Sequence, residues 1–405
     1  MRSPSALASL GVSFCGFDLP HPFLLAATPA SRNGEMISRA FEMGWAGAVW
    51  KTIGQVPGVP NPKVSPAYHS LRWNHHIWCF ENIDLGNPTP LDETLREISR
   101  VKAWFPDRLL VVSLRGDEAP RQWQELAIVA QQAGADMLEL MVSCPHDASD
   151  NLTTDQTMTH TVSTVTRWIQ AVASLPVMVK ISPNTSDARL LARAAKGAGA
   201  QAISAANTIR CLAGVDLDTL VPLPSVGEHS CFGGCSGPAL KPIVLQIVAE
   251  LAMDPFLGLP LSAIGGVSDW RDAVEYLLVG ATTVQVGTAV MLNGYRILED
   301  LLSGLSNFLE QKGFSSCRDL IGHSIQYLTG QPQLSREHVV KARIVEEKCV
   351  RCLRCYVACR DGAHQAIEVG EDRLPWVDES RCVGCALCQQ TCPVPGAVRM
   401  VQPAL

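Results

Sequence analysis

The sequence is short of positive charge and of long apolar runs. Its 33 lysines and arginines are outnumbered by 39 aspartates and glutamates, which leaves a formal net charge of −6. A surface that holds a phosphate backbone needs clustered Lys and Arg, so the charge balance argues against nucleic-acid binding. No apolar run reaches the ~18 residues of a membrane-spanning helix, and the N-terminal run MRSPSALASLGVSFCGF lacks the apolar core of a secretion signal. We therefore expect a soluble, cytoplasmic protein with no nucleic acid and no membrane among its partners.

The sequence also lacks the G-x-G-x-x-G turn after a strand that marks a dinucleotide-binding fold. Its 15 cysteines argue for metal rather than disulfides, because disulfide scaffolds belong to short secreted chains that cannot build a core. At 405 residues and 47% hydrophobic content, this chain can bury a large core. Single cores rarely grow beyond ~300 residues, so the length predicts one large unit and one small one.

Eight cysteines lie in two runs near the end of the sequence, CVRCLRCYVACR and CVGCALCQQTCP. Each run reads Cys-x-x-Cys-x-x-Cys-x-x-x-Cys. Three thiolates of such a loop can reach three irons of one [4Fe–4S] cluster, while the fourth reaches the other cluster. Zinc, which prefers paired Cys-x-x-Cys knuckles at longer separation, is the weaker alternative. The pattern predicts one cluster on Cys349, Cys352, Cys355 and Cys392, and a second on Cys382, Cys385, Cys388 and Cys359.

Two such clusters carry single electrons, so another part of the chain must use them. Before the cysteine runs, short β-branched apolar stretches alternate with longer amphipathic segments, an order that predicts an α/β fold, a parallel (β/α)8 TIM barrel. Segments such as 122–136, 189–201 and 269–282 have helical spacing and a glycine at the expected C-cap. The predicted strands are 23–28, 47–51, 109–114, 137–142, 177–181, 202–207, 261–266 and 282–287.

The predicted domains are a barrel at 1–325, a polar linker at 326–340 and an α+β ferredoxin-like domain at 341–405. A barrel carries its chemistry on the loops that follow its strands. Two of these, 52–80 and 208–236, are unusually long and rich in Pro, Gly and His. Long loops in compact domains are usually functional, although the same segments could be decorative insertions.

Glycine turns follow the seventh and eighth predicted strands, AIGG at 263–266 and QVGT at 285–288. Barrels bind phosphate at these positions through backbone N–H groups, and a flavin would convert single-electron steps to hydride transfer. Lys51 and Lys180 each end a strand, where a buried lysine without an anion would be costly. The alternatives are purely structural turns and surface-facing lysines.

Ten short runs spread along essentially the whole chain carry a resemblance to a known family. They are CGFDLPHPFLLAATPA, MISRAFEMGWAGAVWKTIG, ENIDL, SCPH, VKISPN, AANT, FGGCSG, AIGG, QVGT and DGAHQAI. These runs resemble the dihydropyrimidine dehydrogenases, and more narrowly the flavin and iron–sulfur subunit of the bacterial NAD-dependent enzymes.

This resemblance implies a barrel of the dihydroorotate dehydrogenase type that binds FMN, followed by a two-cluster ferredoxin domain. It also implies a hetero-oligomer, in which electrons enter from NAD(P)H through a partner flavoprotein with FAD, or from a ferredoxin. The implied reaction is reduction of the 5,6 double bond of uracil or thymine.

The resemblance also implies individual site residues. Side-chain amides suit a pyrimidine, whose edge alternates N–H donors and C=O acceptors. The implied substrate contacts are Asn82, Asp84 where the family usually has Glu, Ser143, Asn207 and Thr208. The implied FMN contacts are Ala27, Lys51, Thr52, Lys180, Gly237, Ile264, Gly265, Gly266, Gly287 and Thr288.

Two departures from the family pattern fall in the substrate half. Met141 stands where the family has an Asn that touches the pyrimidine, and a thioether cannot replace the hydrogen bonds of an amide. The loop 146–160 lacks the cysteine that serves the family as general acid. Ser149, Thr153, Thr154 and Asp155 are candidate replacements.

The sequence therefore predicts an FMN and iron–sulfur oxidoreductase that acts on a C–C double bond of a pyrimidine or a related cyclic amide. One alternative is an electron-transfer subunit whose substrate has changed or been lost. The other alternative is a relative of the tRNA dihydrouridine synthases. Such a protein would need a basic face and no cysteine tail, and this sequence offers the reverse.

Overall fold

The structure is a computed structural model that describes residues 8–54, 63–84, 86–142 and 154–403. The chain divides into two units after Tyr327. No helix within the described ranges is both long and apolar enough to cross a membrane. The strands of the first unit are β1 Val12–Phe14, β2 Phe17–Leu19, β3 Phe23–Leu25, β4 Gly47–Ile53, β5 Tyr68–Trp73, β6 His76–Asn82, β7 Leu109–Leu114, β8 Met137–Met141, β9 Val177–Lys180, β10 Ala202–Ala205, β11 Ile209–Cys211, β12 Gly214–Val215, β13 Pro222–Leu223, β14 Gly233–Ser236, β15 Leu261–Ile264 and β16 Thr283–Val286.

Eight of these strands form a closed parallel barrel in chain order: β3, β4, β7, β8, β9, β10, β15 and β16. The barrel closes where β16 pairs with β3, with Val284 beside Phe23 and Val286 beside Leu25. All six residues of β7 are buried, as expected for a strand covered on both faces. Each of the eight predicted strands overlaps one barrel strand, so the predicted TIM barrel is confirmed.

Helices surround the barrel and begin and end at recognisable signals. The helices described in this unit are α1 Gly34–Glu42, α2 Leu91–Trp104, α3 Pro120–Gln132, α4 Asp155–Gln170, α5 Ala188–Gly197, α6 Lys241–Met253, α7 Trp270–Leu278, α8 Thr288–Asn293 and α9 Ile297–Lys312. Asn33 caps α1 by accepting a hydrogen bond from the Met36 N–H at 3.0 Å. Gly134, Gly199 and Gly280 have φ near +100° just beyond the ends of α3, α5 and α7, a conformation that glycine adopts without strain.

The two segments predicted as long loops contain a second sheet. Strands β11, β14, β6 and β5 form a four-stranded antiparallel sheet, which we call the accessory sheet. Trp73 pairs with His76, so Asn74 and His75 form a two-residue hairpin turn, with φ of 48° and 68°. A hairpin turn with positive φ at both central residues has a twist that matches the twist of the flanking strands. Asn is among the residues that tolerate positive φ.

The second unit is a small α+β arrangement. Strand β17 (Lys341–Ile344) pairs antiparallel with β20 (Val398–Val401), and β18 (Ile367–Val369) pairs with β19 (Pro375–Val377). Two short helices, α10 (Arg354–Gly362) and α11 (Leu387–Gln390), complete it. Its small core is made of cysteines together with a few apolar side chains, namely Ala342, Ala366, Ile367 and Val398.

The packing of α9 against α7 generates a stability test. A methyl group on the buried Gly304 would lie 2.0 Å from Cγ of Trp270, whereas one on the exposed Gly197, also helical, meets nothing within 4 Å. We expect Gly304→Ala to lower the free energy of unfolding by about 1–3 kcal/mol through overpacking. Gly197→Ala should leave it unchanged or raise it by up to ~1 kcal/mol, since alanine favours helix. Denaturant unfolding followed by circular dichroism measures both, and equal effects would contradict this packing.

Candidate active site

A cavity of about 600 Å³ opens at the carboxyl ends of the barrel strands. Lys51 of β4, Met141 of β8 and Lys180 of β9 line it, as does Ile264 at the end of β15. The accessory sheet contributes Phe80, Asn82 and Ser236 to the same lining. Cavities of a few hundred cubic ångströms at this end of a TIM barrel are where enzymes of this fold bind their ligands.

The glycine turn after β15 exposes main-chain atoms, with no side chain over them, at the cavity wall. Gly265 and Gly266 have φ of 142° and 71°, which side-chain-bearing residues rarely adopt. A methyl group on Gly266 would lie 2.6 Å from the Lys241 backbone nitrogen. The turn is held by the buried Tyr276, whose hydroxyl donates to the Gly265 carbonyl at 2.5 Å. Such a turn lets a phosphate approach the main chain closely, so the residues present fit a phosphate-bearing cofactor.

Both predicted lysines have acidic partners. The Lys51 ammonium lies 2.7 Å from Oδ2 of Asp84, and both side chains are largely buried. Lys180 Nζ lies 3.4 Å from Oε1 of Glu139, which is fully buried in the barrel. The second Glu139 oxygen, Oε2, has no hydrogen-bond partner among the described residues. An ammonium has three N–H donors, and the contact with Glu139 uses one of them. Lys180 at the cavity wall therefore has donors left for a ligand.

The barrel interior adds a neutral polar group to the cavity floor. Nε2 of Gln285 donates to the Ser204 hydroxyl at 3.1 Å and to the Ser262 hydroxyl at 3.0 Å. Gln285 lines the cavity, and its Oε1 has no partner among the described residues. A buried carbonyl oxygen without a partner is costly, so this atom fits a ligand that carries an N–H donor.

The structure brings the residues implied for FMN to one place. They come from the ends of five barrel strands and from the segment after the accessory strand β14, and every one of them lines the cavity. They are Ala27, Lys51, Thr52, Lys180, Gly237, Ile264, Gly265, Gly266, Gly287 and Thr288.

Four of the five residues implied for substrate binding also line the cavity: Asn82, Asp84, Asn207 and Thr208. The Asn207 backbone N–H donates to the Ile181 carbonyl at 2.9 Å, which fixes this segment against the end of β9. Ser143 lies outside the described residues. Met141, which stands in place of the family's Asn, lines the cavity as well.

The two candidate general acids that the structure describes are not brought into this site. Ser149 and Thr153 lie outside the described residues, and neither Thr154 nor Asp155 lines the cavity. Thr154 caps α4 by accepting from the Thr157 N–H at 3.2 Å. Hydrogen bonds from Ser186 and Thr185 hold the pKa of Asp155 below its ordinary value, which opposes a role as proton donor. The assignment of the acid stays a prediction.

Several cavity residues were missed from the sequence, namely Tyr68, Arg72, His75, His76 and Arg115. All but the last belong to the hairpin of the accessory sheet, and Arg115 follows β7. Burial, with the Asp84 carboxylate nearby, raises the pKa of Tyr68 to about 12, so its phenol remains a hydrogen-bond donor at neutral pH. Among these five residues, only Arg115 had a signal in the sequence, since it directly follows a predicted barrel strand.

In the second unit, the eight tail cysteines fall into two groups around two small cavities. Cys349, Cys352, Cys355 and Cys392 line one cavity with apolar side chains such as Leu353 and Val398. Cys359, Cys382, Cys385 and Cys388 line the other. In both groups, the fourth cysteine comes from the other sequence run, as the predicted cluster assignment requires.

Comparison with known proteins identifies a family for each of the two units. The dihydroorotate dehydrogenase family matches residues 9–309, and a 4Fe-4S dicluster domain matches residues 342–400. The NAD-dependent dihydropyrimidine dehydrogenase subunit PreA of Escherichia coli is 39% identical over 389 residues, 95% of this chain and 94% of the relative. The chain belongs to the dihydropyrimidine dehydrogenase family.

Other members of the wider group share less of the chain. The chloroplastic NADP(+) dihydropyrimidine dehydrogenase of Arabidopsis thaliana is 34% identical over 84% of this chain and 83% of its own. The catalytic subunit of dihydroorotate dehydrogenase B (NAD(+)) of Pyrococcus abyssi is 35% identical over 78% and 99%. This dihydropyrimidine dehydrogenase family member is thus an oxidoreductase acting on CH–CH bonds, with an iron–sulfur domain at its C-terminal end.

The grouping of the cysteines is testable with double variants. If Cys352 and Cys392 serve one cluster, their joint replacement by Ala removes one cluster and leaves about half of the iron. Replacing Cys385 and Cys392 together takes a ligand from each cluster and should remove nearly all of it. Iron analysis and electron paramagnetic resonance of anaerobically purified protein measure both. The reverse pattern would mean that each sequence run holds a cluster by itself.

Proposed function

We propose that this chain is the catalytic subunit of an NAD(P)-linked, dihydropyrimidine dehydrogenase-like oxidoreductase. It binds FMN in the barrel cavity and two [4Fe–4S] clusters in the C-terminal unit. Its reaction is the reduction of the 5,6 C=C bond of uracil, thymine or a related cyclic amide. When bound, FMN supplies the conversion between single-electron and hydride chemistry.

One observation carries the proposal: all ten residues implied for FMN, and every described residue implied for the substrate, line a single cavity. The chain's own groups fit those tasks. The backbone turn at Gly265 and Gly266 offers main-chain N–H groups to a phosphate. Lys180 lines the same cavity, where its ammonium would stabilise negative charge on the bound cofactor.

The substrate side of the cavity is suited to a planar cyclic amide. Asn82 and Asn207 each offer both a donor and an acceptor, which match the N–H and C=O groups of such a ring. The Thr208 backbone N–H donates to the Asn207 Oδ1 at 2.9 Å, which orients that amide. The Lys51–Asp84 ion pair keeps two opposite charges in fixed positions at the same wall.

The partner in this proposal is a separate flavoprotein that binds NAD(P)H and FAD, or a ferredoxin, in a hetero-oligomer. Two observations support it. The sequence has no G-x-G-x-x-G turn of its own, and two of the relatives above are named as subunits.

Met141 favours a second candidate, an electron-transfer subunit with a changed or lost substrate. Its thioether lies in the cavity wall where the family has an amide. A ligand N–H or C=O that loses its partner in a buried site costs about 1–3 kcal/mol. Pyrimidines would then bind less well than a ring with an apolar edge at this point.

The test is anaerobic reduction of the purified protein, followed by rapid mixing with uracil, thymine and a panel of cyclic imides and enones. We expect one or more of these compounds to re-oxidise the flavin and to gain two hydrogens at its double bond, as seen by absorbance and mass spectrometry. Met141→Asn should speed re-oxidation by uracil about tenfold or more, while Met141→Leu, the matched apolar control, should not. Re-oxidation by none of the compounds would reject the reductase and leave the electron-transfer subunit.

A further inference from the structure

Three cysteines outside the tail come together in the accessory sheet. Cys79 lies on β6, Cys211 on β11 and Cys235 on β14, and their Sγ atoms are all within 4.8 Å of one another. Cys79 and Cys235 are buried, and Cys211 is half-buried. No three of the tail cysteines come this close, and the described part of the chain holds no other such group of three His, Cys, Asp or Glu ligands.

This thiol cluster faces away from the cofactor cavity. Phe80 and Asn82 of β6 line the cavity, so the alternating side chains of Cys79 and Glu81 point to the opposite face. Cys235 pairs with Glu81 across the sheet, and Ser236, its neighbour, lines the cavity. The cluster is therefore separate from the site proposed for FMN and substrate, although it sits on the strands that carry part of that site.

Polar groups surround the thiols. Glu81 is fully buried, and its two oxygens accept from the Ala213 N–H at 2.6 Å and the Gly233 N–H at 2.9 Å. His69 pairs with Glu81 on the neighbouring strand β5 and is half-buried. A bound cation would stabilise a buried carboxylate that lies beside thiols. Packing of an apolar core alone would not call for a glutamate at this position.

The spacing suits a single ion better than a cluster of irons. Ligand sulfurs 2.3 Å from a tetrahedral Zn²⁺ lie about 3.8 Å from one another. This spacing falls within the 4.8 Å that bounds the three thiols. Each cysteine of an iron–sulfur cube reaches a different iron, which sets its sulfurs farther apart. None of the three cysteines is in a disulfide.

We propose that Cys79, Cys211 and Cys235 form a structural zinc site that ties three strands of the accessory sheet together. The three thiols lose their protons on binding, and Glu81 or His69 offers an oxygen or nitrogen for the fourth tetrahedral position. The ion fixes β6, β11 and β14 relative to one another. It thereby positions Asn82 and Ser236 at the cavity wall.

The test is zinc analysis of protein purified from zinc-supplemented cells, with iron measured in the same samples. We expect about one zinc per chain. Cys79→Ser and Cys211→Ser should lower it at least tenfold and leave iron unchanged. Cys231→Ser, an exposed cysteine four residues before Cys235, and Cys15→Ser are the matched controls and should keep the zinc. Equal zinc in parent and Cys79→Ser protein would overturn the proposal.

A measurement on the parent protein covers the case in which the variants fail to fold. X-ray absorption at the zinc edge should show three sulfur ligands at about 2.3 Å. The three thiols should resist alkylation until a chelator removes the ion, after which added Zn²⁺ should restore the protection. A native disulfide between any two of them, found by mass spectrometry of the unreduced protein, would contradict the site.

Discussion

Eight parallel strands close on themselves where Thr283–Val286 pairs with both Leu261–Ile264 and Phe23–Leu25. Because all eight run in the same direction, closure brings every carboxyl end to one rim. Lys51, Lys180 and Gly287 are far apart in sequence, yet they line one cavity. The closed barrel brings them together, so they need no direct contact with one another. The chemistry of the first unit depends on this closure, because it gathers the strand ends and the loops that follow them around one cavity.

Burying polar side chains inside the barrel costs desolvation free energy. Lys180, Glu139, Ser204, Ser262 and Gln285 are buried inside it, where an apolar core would avoid all desolvation. The Lys180–Glu139 pair and the hydrogen bonds of Gln285 offset part of this cost, yet one Glu139 oxygen and one Gln285 oxygen remain without partners among the described residues. Incomplete pairing of this kind is typical of a site that is completed by its ligand, and Gln285 itself lines the cavity.

The parts that could be predicted from the sequence are those whose signal is local. Each barrel strand is a short apolar run of its own. Each cysteine run places the three cysteines proposed for one cluster within seven residues. The accessory sheet could not be predicted, because its hairpin turns at Asn74 and His75 rather than at an Asn-Gly pair. Its central pairing also joins β6 to β14, about 150 residues later. The trio of Cys79, Cys211 and Cys235 was missed for the same reason, since only the fold brings these residues together.

Flavin binding at the glycine turn tests the account most directly. Gly266 and Gly313 have nearly the same φ, 71° and 75°, so replacing either by Ala costs similar backbone strain. Only Gly266 lines the cavity, and only there would a methyl group meet the Lys241 main chain. Titration of flavin-depleted protein with FMN should give binding by the parent and by Gly313→Ala, with affinity at least tenfold weaker in Gly266→Ala. Equal affinity in all three proteins would show that the cofactor phosphate does not bind at this turn.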